Sequence, residues 1–183
     1  LKHMRVMAIS GSLRKLSYNS AVIEAMSLLA PEGIDFVVYK GIGDLPLFNP
    51  DLEDRHIAAV EDLKGELAKA DGLVVASPEY AHGISGVLKN ALDWLVSGEE
   101  FVYMPVALIN TSPRASHAQA ALREVITTMS GNIIEEASVS VPLLGSGLDA
   151  DGIAGHVEIA QALVNSLQAF SAAIALNQEL NNQ

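Results

Sequence analysis

The chain has 183 residues, half of them apolar and 18% charged, with a formal net charge of −11 at pH 7 and no cysteine. That length fits one domain able to bury its own core, and the composition excludes a disordered or coiled-coil chain. The negative charge disfavours nucleic acid and anionic lipid as partners, and the lack of cysteine removes disulfides and thiolate chemistry, as suits a reducing cytoplasm. Leu1 to His3 read as a cloning junction before Met4, and no apolar signal-peptide core follows them, so we expect a cytoplasmic protein whose 183 residues form one domain.

Short apolar runs at 5–10, 35–39, 72–77, 105–110 and 137–141 have the length of strands, and most are too continuously apolar for a half-exposed sheet. Helical patterns alternate with them near 20–30, 55–70, 85–97, 115–130 and 153–178. Five strands and five helices in alternation predict an α/β fold, a doubly wound parallel sheet of order 2-1-3-4-5 in a three-layer sandwich. The stretch 40–54, with Gly41, Gly43, Pro46 and Pro50, reads as an irregular connection over the strand ends. The apolar segment 153–178 is interrupted by His156, Glu158, Gln161, Asn165 and Gln168, so it is expected to lack the continuous run of about 18 uncharged apolar residues that a membrane span needs. It reads as a core or interface helix. Together with 85–97 it offers more apolar surface than one core needs, from which we expect a homodimer or homotetramer.

In an open parallel sheet, ligands collect beyond the carboxyl ends of the strands, where loop amides and a helix N-terminus attract anions. The first such loop is Ser10-Gly-Ser-Leu-Arg-Lys-Leu-Ser-Tyr-Asn-Ser20. Gly11 permits close backbone approach, and the hydroxyls of Ser12 and Ser17, the Asn19 amide and the Arg14 guanidinium can surround a phosphate. The competing reading makes Asn19 or Ser20 a helix cap and Arg14 a solvated charge. Neither GxGxxG nor GxxxxGK[ST] is present. After the third strand runs Pro78-Glu-Tyr-Ala-His-Gly83, an irregular loop able to lie against a flat ligand. Among the five histidines there is no HExxH, which weakens any zinc reading. Lys89 and Asp93 are i,i+4 neighbours on a helix whose Leu88, Leu92 and Leu95 share an apolar face, so KNALDW is assigned to packing rather than catalysis.

The patterns GSLRKxSxN in the first loop and PEYxxxxxGxLKNAxDW after the third strand resemble the NAD(P)H-dependent FMN reductases, including the related bacterial quinone and chromate reductases. With the order of elements, the resemblance covers essentially the whole chain and implies a flavodoxin-like fold. It implies that Ser12, Leu13, Arg14, Ser17, Tyr18 and Asn19 hold the FMN phosphate, that Pro78, Glu79, Tyr80 and Ala81 line the isoalloxazine, and that Thr111 and Ser112 meet the ring or ribityl chain. Thr111 and Ser112 can equally be ordinary caps of the fourth helix. Ala81 stands where the family often has Asn, which loses a side-chain hydrogen bond, and Ser85 where it often has Pro. His82 is placed where it can contact the acceptor or the nicotinamide, or simply face solvent.

The resemblance implies hydride transfer from NADPH or NADH to FMN, then to a small acceptor such as a quinone, free flavin, azo compound or chromate, with no obligatory protein acid or base and no metal. Two rival readings stay open on the residues alone. A flavodoxin-like electron carrier would show little NAD(P)H turnover, and a phosphate-binding regulatory module would bind no flavin.

Overall fold

A computed structural model describes residues 3–183; Leu1 and Lys2, and with them most of the expected cloning junction, lie outside the described residues. The elements in chain order are β1 (Met4–Ser10), α1 (Tyr18–Leu29), β2 (Ile34–Tyr39), α2 (Ala58–Ala68), β3 (Gly72–Ala76), α3 (Gly86–Leu95), β4 (Pro105–Asn110), α4 (Ser116–Thr128), β5 (Asn132–Ile133), β6 (Val139–Ser140), α5 (Ala150–Gly155) and α6 (Val157–Asn181). All strand pairs are parallel and the order is β2-β1-β3-β4-β5, with β6 also paired to β4. This is the doubly wound α/β, flavodoxin-like sheet expected from the alternation.

The period of two along each strand sorts the core into two layers. Met7, Ile9, Leu73, Val75, Val106 and Leu108 point to one face, under α2, α3 and α4. Val6, Ala8, Val74, Ala76, Ala107 and Ile109 point to the other, under α1, α5 and α6. Gly72 is fixed by the second layer, since a Cβ there would sit 2.6 Å from Ile174 Cδ1 and 2.8 Å from Phe170 Cζ.

Two elements differ from the sequence expectation. The fifth strand is not continuous over 137–141; it is two short pieces flanking a 3-10 turn at Glu135–Ala137. Ser138 explains the break, because its Oγ donates to Ile134 O at 2.9 Å and accepts from Leu108 N at 3.1 Å, so a side chain takes the place of a ladder bond. The last helix is divided at His156, whose Nδ1 accepts from Ile159 N and starts α6 afresh.

Helix α6 is long and apolar enough to cross a membrane by length and composition, with a mean hydropathy of 1.5 over 18 residues. Its Leu163, Leu167, Phe170 and Ile174 pack on the sheet, while only 28% of that stretch is buried within the chain. On α3, Leu88, Ala91, Leu92, Trp94 and Leu95 are buried within the chain, whereas Val96 just beyond it and Val157, Leu176 and Leu180 on α6 stay exposed. Asn90 and Trp94 then anchor the 40–54 connection: Asn90 Nδ2 and Trp94 Nε1 both donate to Pro46 O, and Phe48 N donates to Asn90 Oδ1.

Candidate functional site

The carboxyl ends of β1, β3 and β4 open into a cleft of about 1360 Å³. It is lined by Ser12, Leu13, Arg14, Ser17, Tyr18 and Asn19 from the first loop, by Pro78, Glu79, Tyr80, Ala81 and His82 from the third, and by Thr111 and Ser112 from the fourth, whereas Gly11 lies outside its lining.

The first loop is held by its own hydroxyls. Ser10 Oγ lies 2.9 Å from Ser20 Oγ and accepts from Ser12 N, and Ser12 Oγ accepts from Arg14 N. Ser17, rather than Asn19 or Ser20, caps α1 by accepting from Ser20 N. The amides of Tyr18 and Asn19 at the start of the helix have no protein acceptor, as expected of first-turn donors left for an anion. Asn19 is buried and its Oδ1 accepts from Thr111 Oγ1 at 3.1 Å, which ties the fourth loop to α1 and leaves the Asn19 Nδ2 donors free. Among the described cations, Arg14, Lys15 and Arg114 line the cleft with no carboxylate in ion-pair reach, whereas Lys40 on the same cleft is paired with Glu24. In a chain of net charge −11, three unpaired cations lining one cleft suit an anionic ligand.

The third loop is a tight turn. Tyr80 N donates to Gly83 O at 3.0 Å and Gly83 N to Tyr80 O at 2.9 Å, which forces Ala81 and His82 to φ of 50° and 61°. Both are left-handed, a conformation that costs a non-glycine residue about 1–2 kcal/mol. Asn tolerates this backbone better than Ala, so the departure at Ala81 is felt in the turn itself. Glu79 turns its carboxylate toward α4: Oε2 accepts from Ala118 N at 2.9 Å and Oε1 lies 3.1 Å from His82 Nδ1. The Ala118 N–H first, and then the nearby imidazoles of His82 and His117, hold the Glu79 carboxyl below the usual carboxylate range against a partial desolvation effect. Tyr80 leaves its ring half exposed at the cleft.

The first and third loops meet at Gly11. Ser85 Oγ donates to Gly11 O at 2.6 Å and also caps α3, and a Cβ on Gly11 would be 3.1 Å from both Pro78 Cδ and Leu88 Cδ2. Ser85, where Pro is frequent in the resembled family, therefore gains a bond that proline could not make. The capping alternative for Thr111 and Ser112 does not hold: α4 has no side-chain cap from its own loop, and Glu79 supplies the acceptor from across the cleft.

The segment after β6 also reaches the site, although no sequence motif singles it out. Leu144, Gly147, Leu148 and Asp149 line the cleft, and Gly147 N donates to Tyr18 Oη at 2.9 Å, so the Tyr18 hydroxyl holds this segment over the start of α1. The one available signal is GSGLD after the last strand, where Gly145 and Gly147 take φ of 78° and 70°. His117 is likewise inconspicuous in the sequence. Its ring centroid lies 4.5 Å from that of His82.

Known proteins are similar to this chain over most of its length. The family model described as NADPH-dependent FMN reductase matches residues 4–143. An NAD(P)H-dependent FMN reductase of Pseudomonas aeruginosa is 33% identical over 155 residues, 81% of this chain and 83% of that protein. The quinone reductase of Escherichia coli strain K12 is 32% identical over 141 residues, 73% of this chain and 74% of its own. Among solved structures, the flavoenzyme NAD(P)H:(acceptor) oxidoreductase from Paracoccus denitrificans superposes with a TM-score of 0.83 at 29% identity, covering 94% of this chain and 97% of the other.

Proposed function

Because this chain belongs to the NADPH-dependent FMN reductase family, we propose that its cleft seats FMN with the phosphate in the 12–19 loop and reduces a small acceptor, a quinone above all, at the 78–82 loop. The enzyme is an FMN-dependent oxidoreductase that uses NAD(P)H. The observation that carries the assignment of the two ends is the asymmetry of the cleft: free amides and the unpaired Arg14 and Lys15 lie at the α1 N-terminus, and an aromatic ring lies on a hydrogen-bonded turn at the third loop.

The residues fit the group. A terminal phosphate takes the Tyr18 and Asn19 amides and the Arg14 guanidinium as charge-assisted donors. Gly11 allows the first and third loops to close on each other beneath the ligand. The volume exceeds the roughly 300–1,000 Å³ of an ordinary ligand pocket, which leaves room for a second ring beside the cofactor. Bound FMN supplies the hydride chemistry between the nicotinamide and the acceptor. The protein's part is position and charge. Thr111 and Asn19 lock the loops to each other, the unpaired cations draw anionic ligands in, and the Tyr80 ring offers a stacking surface at the open side.

The test is steady-state oxidation of NADPH by the FMN-loaded protein with and without a quinone. Turnover that needs both FMN and quinone, with parallel-line kinetics from two substrates sharing one place, supports the reading. FMN binding without NADPH or NADH turnover would support the electron carrier, and no flavin binding the regulatory module. We further place the enzyme in the cytoplasm as a homodimer or homotetramer. Exposed Val96, Val102 and Tyr103 near the end of α3 and Val157, Leu176 and Leu180 on α6 support self-association. A monomeric mass by light scattering at micromolar concentration would contradict it.

A further inference from the structure

At the acceptor end of the cleft a carboxylate and two imidazoles converge from two different elements. Glu79 is almost enclosed, its side chain only 13% exposed, while His82 beside it is 78% exposed. Glu79 is fixed by the Ala118 N–H, so its other oxygen meets His82 Nδ1 from a rigid position. The left-handed backbone at His82, imposed by the two Tyr80–Gly83 bonds, brings the imidazole to the first turn of α4, where it packs on His117 with 61° between the rings. His82 lines the cleft; His117 is exposed and lies outside its lining. The other titratable or charged groups on this side of the cleft are Arg114 from the segment before α4 and Tyr80 from the turn. A solvated loop histidine needs neither an enclosed carboxylate nor a strained backbone to hold it.

We propose that His82 is the proton donor to a quinone-class acceptor, with Glu79 and His117 as its positioning residues. This rests on the reading that the acceptor is reduced in this cleft. The balance leaves one proton for such a donor to supply. Conversion of a quinone to a hydroquinone takes two electrons and two protons. NAD(P)H, becoming NAD(P)⁺, provides both electrons and one proton as a hydride, so one proton is still missing. It passes from His82 Nε2 to a carbonyl oxygen of the quinone: the N–H bond breaks, the O–H bond forms, and the neutral imidazole keeps its Nδ1–H on Glu79. Solvent restores the Nε2 proton on the exposed side, where His117 stands. Glu79 fixes which nitrogen faces the cleft, the role a carboxylate plays beside a catalytic histidine generally.

Stopped-flow reoxidation of the NADPH-reduced holoenzyme tests this with two acceptors: a benzoquinone, which must take up protons, and ferricyanide, which takes only an electron. His82→Ala is expected to slow the quinone reaction by about tenfold or more, less than the roughly 10²–10⁴-fold a positioned general acid contributes where water cannot take its place. Reduction by NADPH and reoxidation by ferricyanide should stay within roughly twofold, and added imidazole should recover part of the quinone rate. His117→Ala and Glu79→Gln should produce the same acceptor-selective loss at smaller size. In the oxidised holoenzyme, hydroquinone should shift the ring resonances of His82 and His117 and leave those of His56 and His156 in place. Equal loss with both acceptors, no loss with either, or unmoved His82 resonances overturns the proposal. Failure of NADPH to reduce the wild-type holoenzyme is a separate outcome that overturns the reductase reading itself.

Discussion

The two ends of the cleft hold their ligand-facing groups by opposite means. At the first loop no non-glycine residue has a positive φ, Ser17 caps α1 from ordinary extended backbone, and the chemistry resides in residue type: hydroxyls, free amides and unpaired cations. At the third loop two consecutive residues are left-handed, and the chemistry resides in where that backbone sends Glu79 and His82. A phosphate can be met by many arrangements of donors, so the first end needs little strain. A ring face and a proton donor must be placed in one orientation, and the third end stores strain to place them.

If the first end works by charge and hydrogen-bond donation, Arg14→Ala weakens FMN by about 1.5–3 kcal/mol, roughly 10- to 150-fold in Kd. Riboflavin, which lacks the phosphate, should lose almost nothing. Fluorescence titration with both ligands decides it, and equal loss for the two would move Arg14 away from the phosphate. The junction of the two ends is tested by Asn19→Leu, which leaves the buried Thr111 hydroxyl without its acceptor. Urea unfolding of the flavin-free protein should show a loss of about 1–2 kcal/mol. An unchanged midpoint would show that the bond between α1 and the fourth loop is replaced at no cost.

At the strained end the sign reverses. Ala81→Gly removes a left-handed penalty of about 1–2 kcal/mol but adds the chain entropy of glycine, about 0.5–1 kcal/mol, for a net stabilisation between zero and about 1.5 kcal/mol. Tm should rise by about 2–4 °C per kcal/mol in a chain of this size. A fall in Tm would mean that the turn is not strained. The smallest effect is on acid stability. The folded-state value of Glu79 lies below its usual one, so its ionised form adds stability above the ordinary carboxylate range, and that stability is lost as pH falls through the depressed value. Glu79→Gln keeps an acceptor for the Ala118 N–H without the charge, so it should flatten this part of the urea-midpoint profile against pH. An unaltered profile would place the acid sensitivity elsewhere.

The same contrast explains how much of the molecule is legible in its sequence. Arg14, Ser17 and Asn19 follow a strand and open a helix with residue types suited to a phosphate, so the first loop stands out in the sequence, while the choice between a phosphate loop and an ordinary helix cap does not follow from the residues alone. The sheet order is legible as well, because alternating apolar runs and right-handed crossovers leave few topologies. The conformation at Ala81 and His82 is not, since nothing about Ala announces a left-handed backbone; only the pairing of Tyr80 with Gly83 imposes it. His117 and Leu144 lie far along the chain from the loops they join, and a local pattern cannot report a meeting made by the fold. The broken fifth strand depends likewise on a single serine hydroxyl, at Ser138, standing in for a backbone donor and acceptor.

Binding of FMN in this cleft and reduction of that FMN by a nicotinamide are tested most directly by an anaerobic absorbance spectrum of the protein loaded with one equivalent of FMN, recorded before and after NADPH and again after a quinone. Flavin absorbance that bleaches with NADPH and returns with the quinone is the predicted result. Bound flavin that stays oxidised with both NADPH and NADH, or FMN that fails to bind at all, would contradict it.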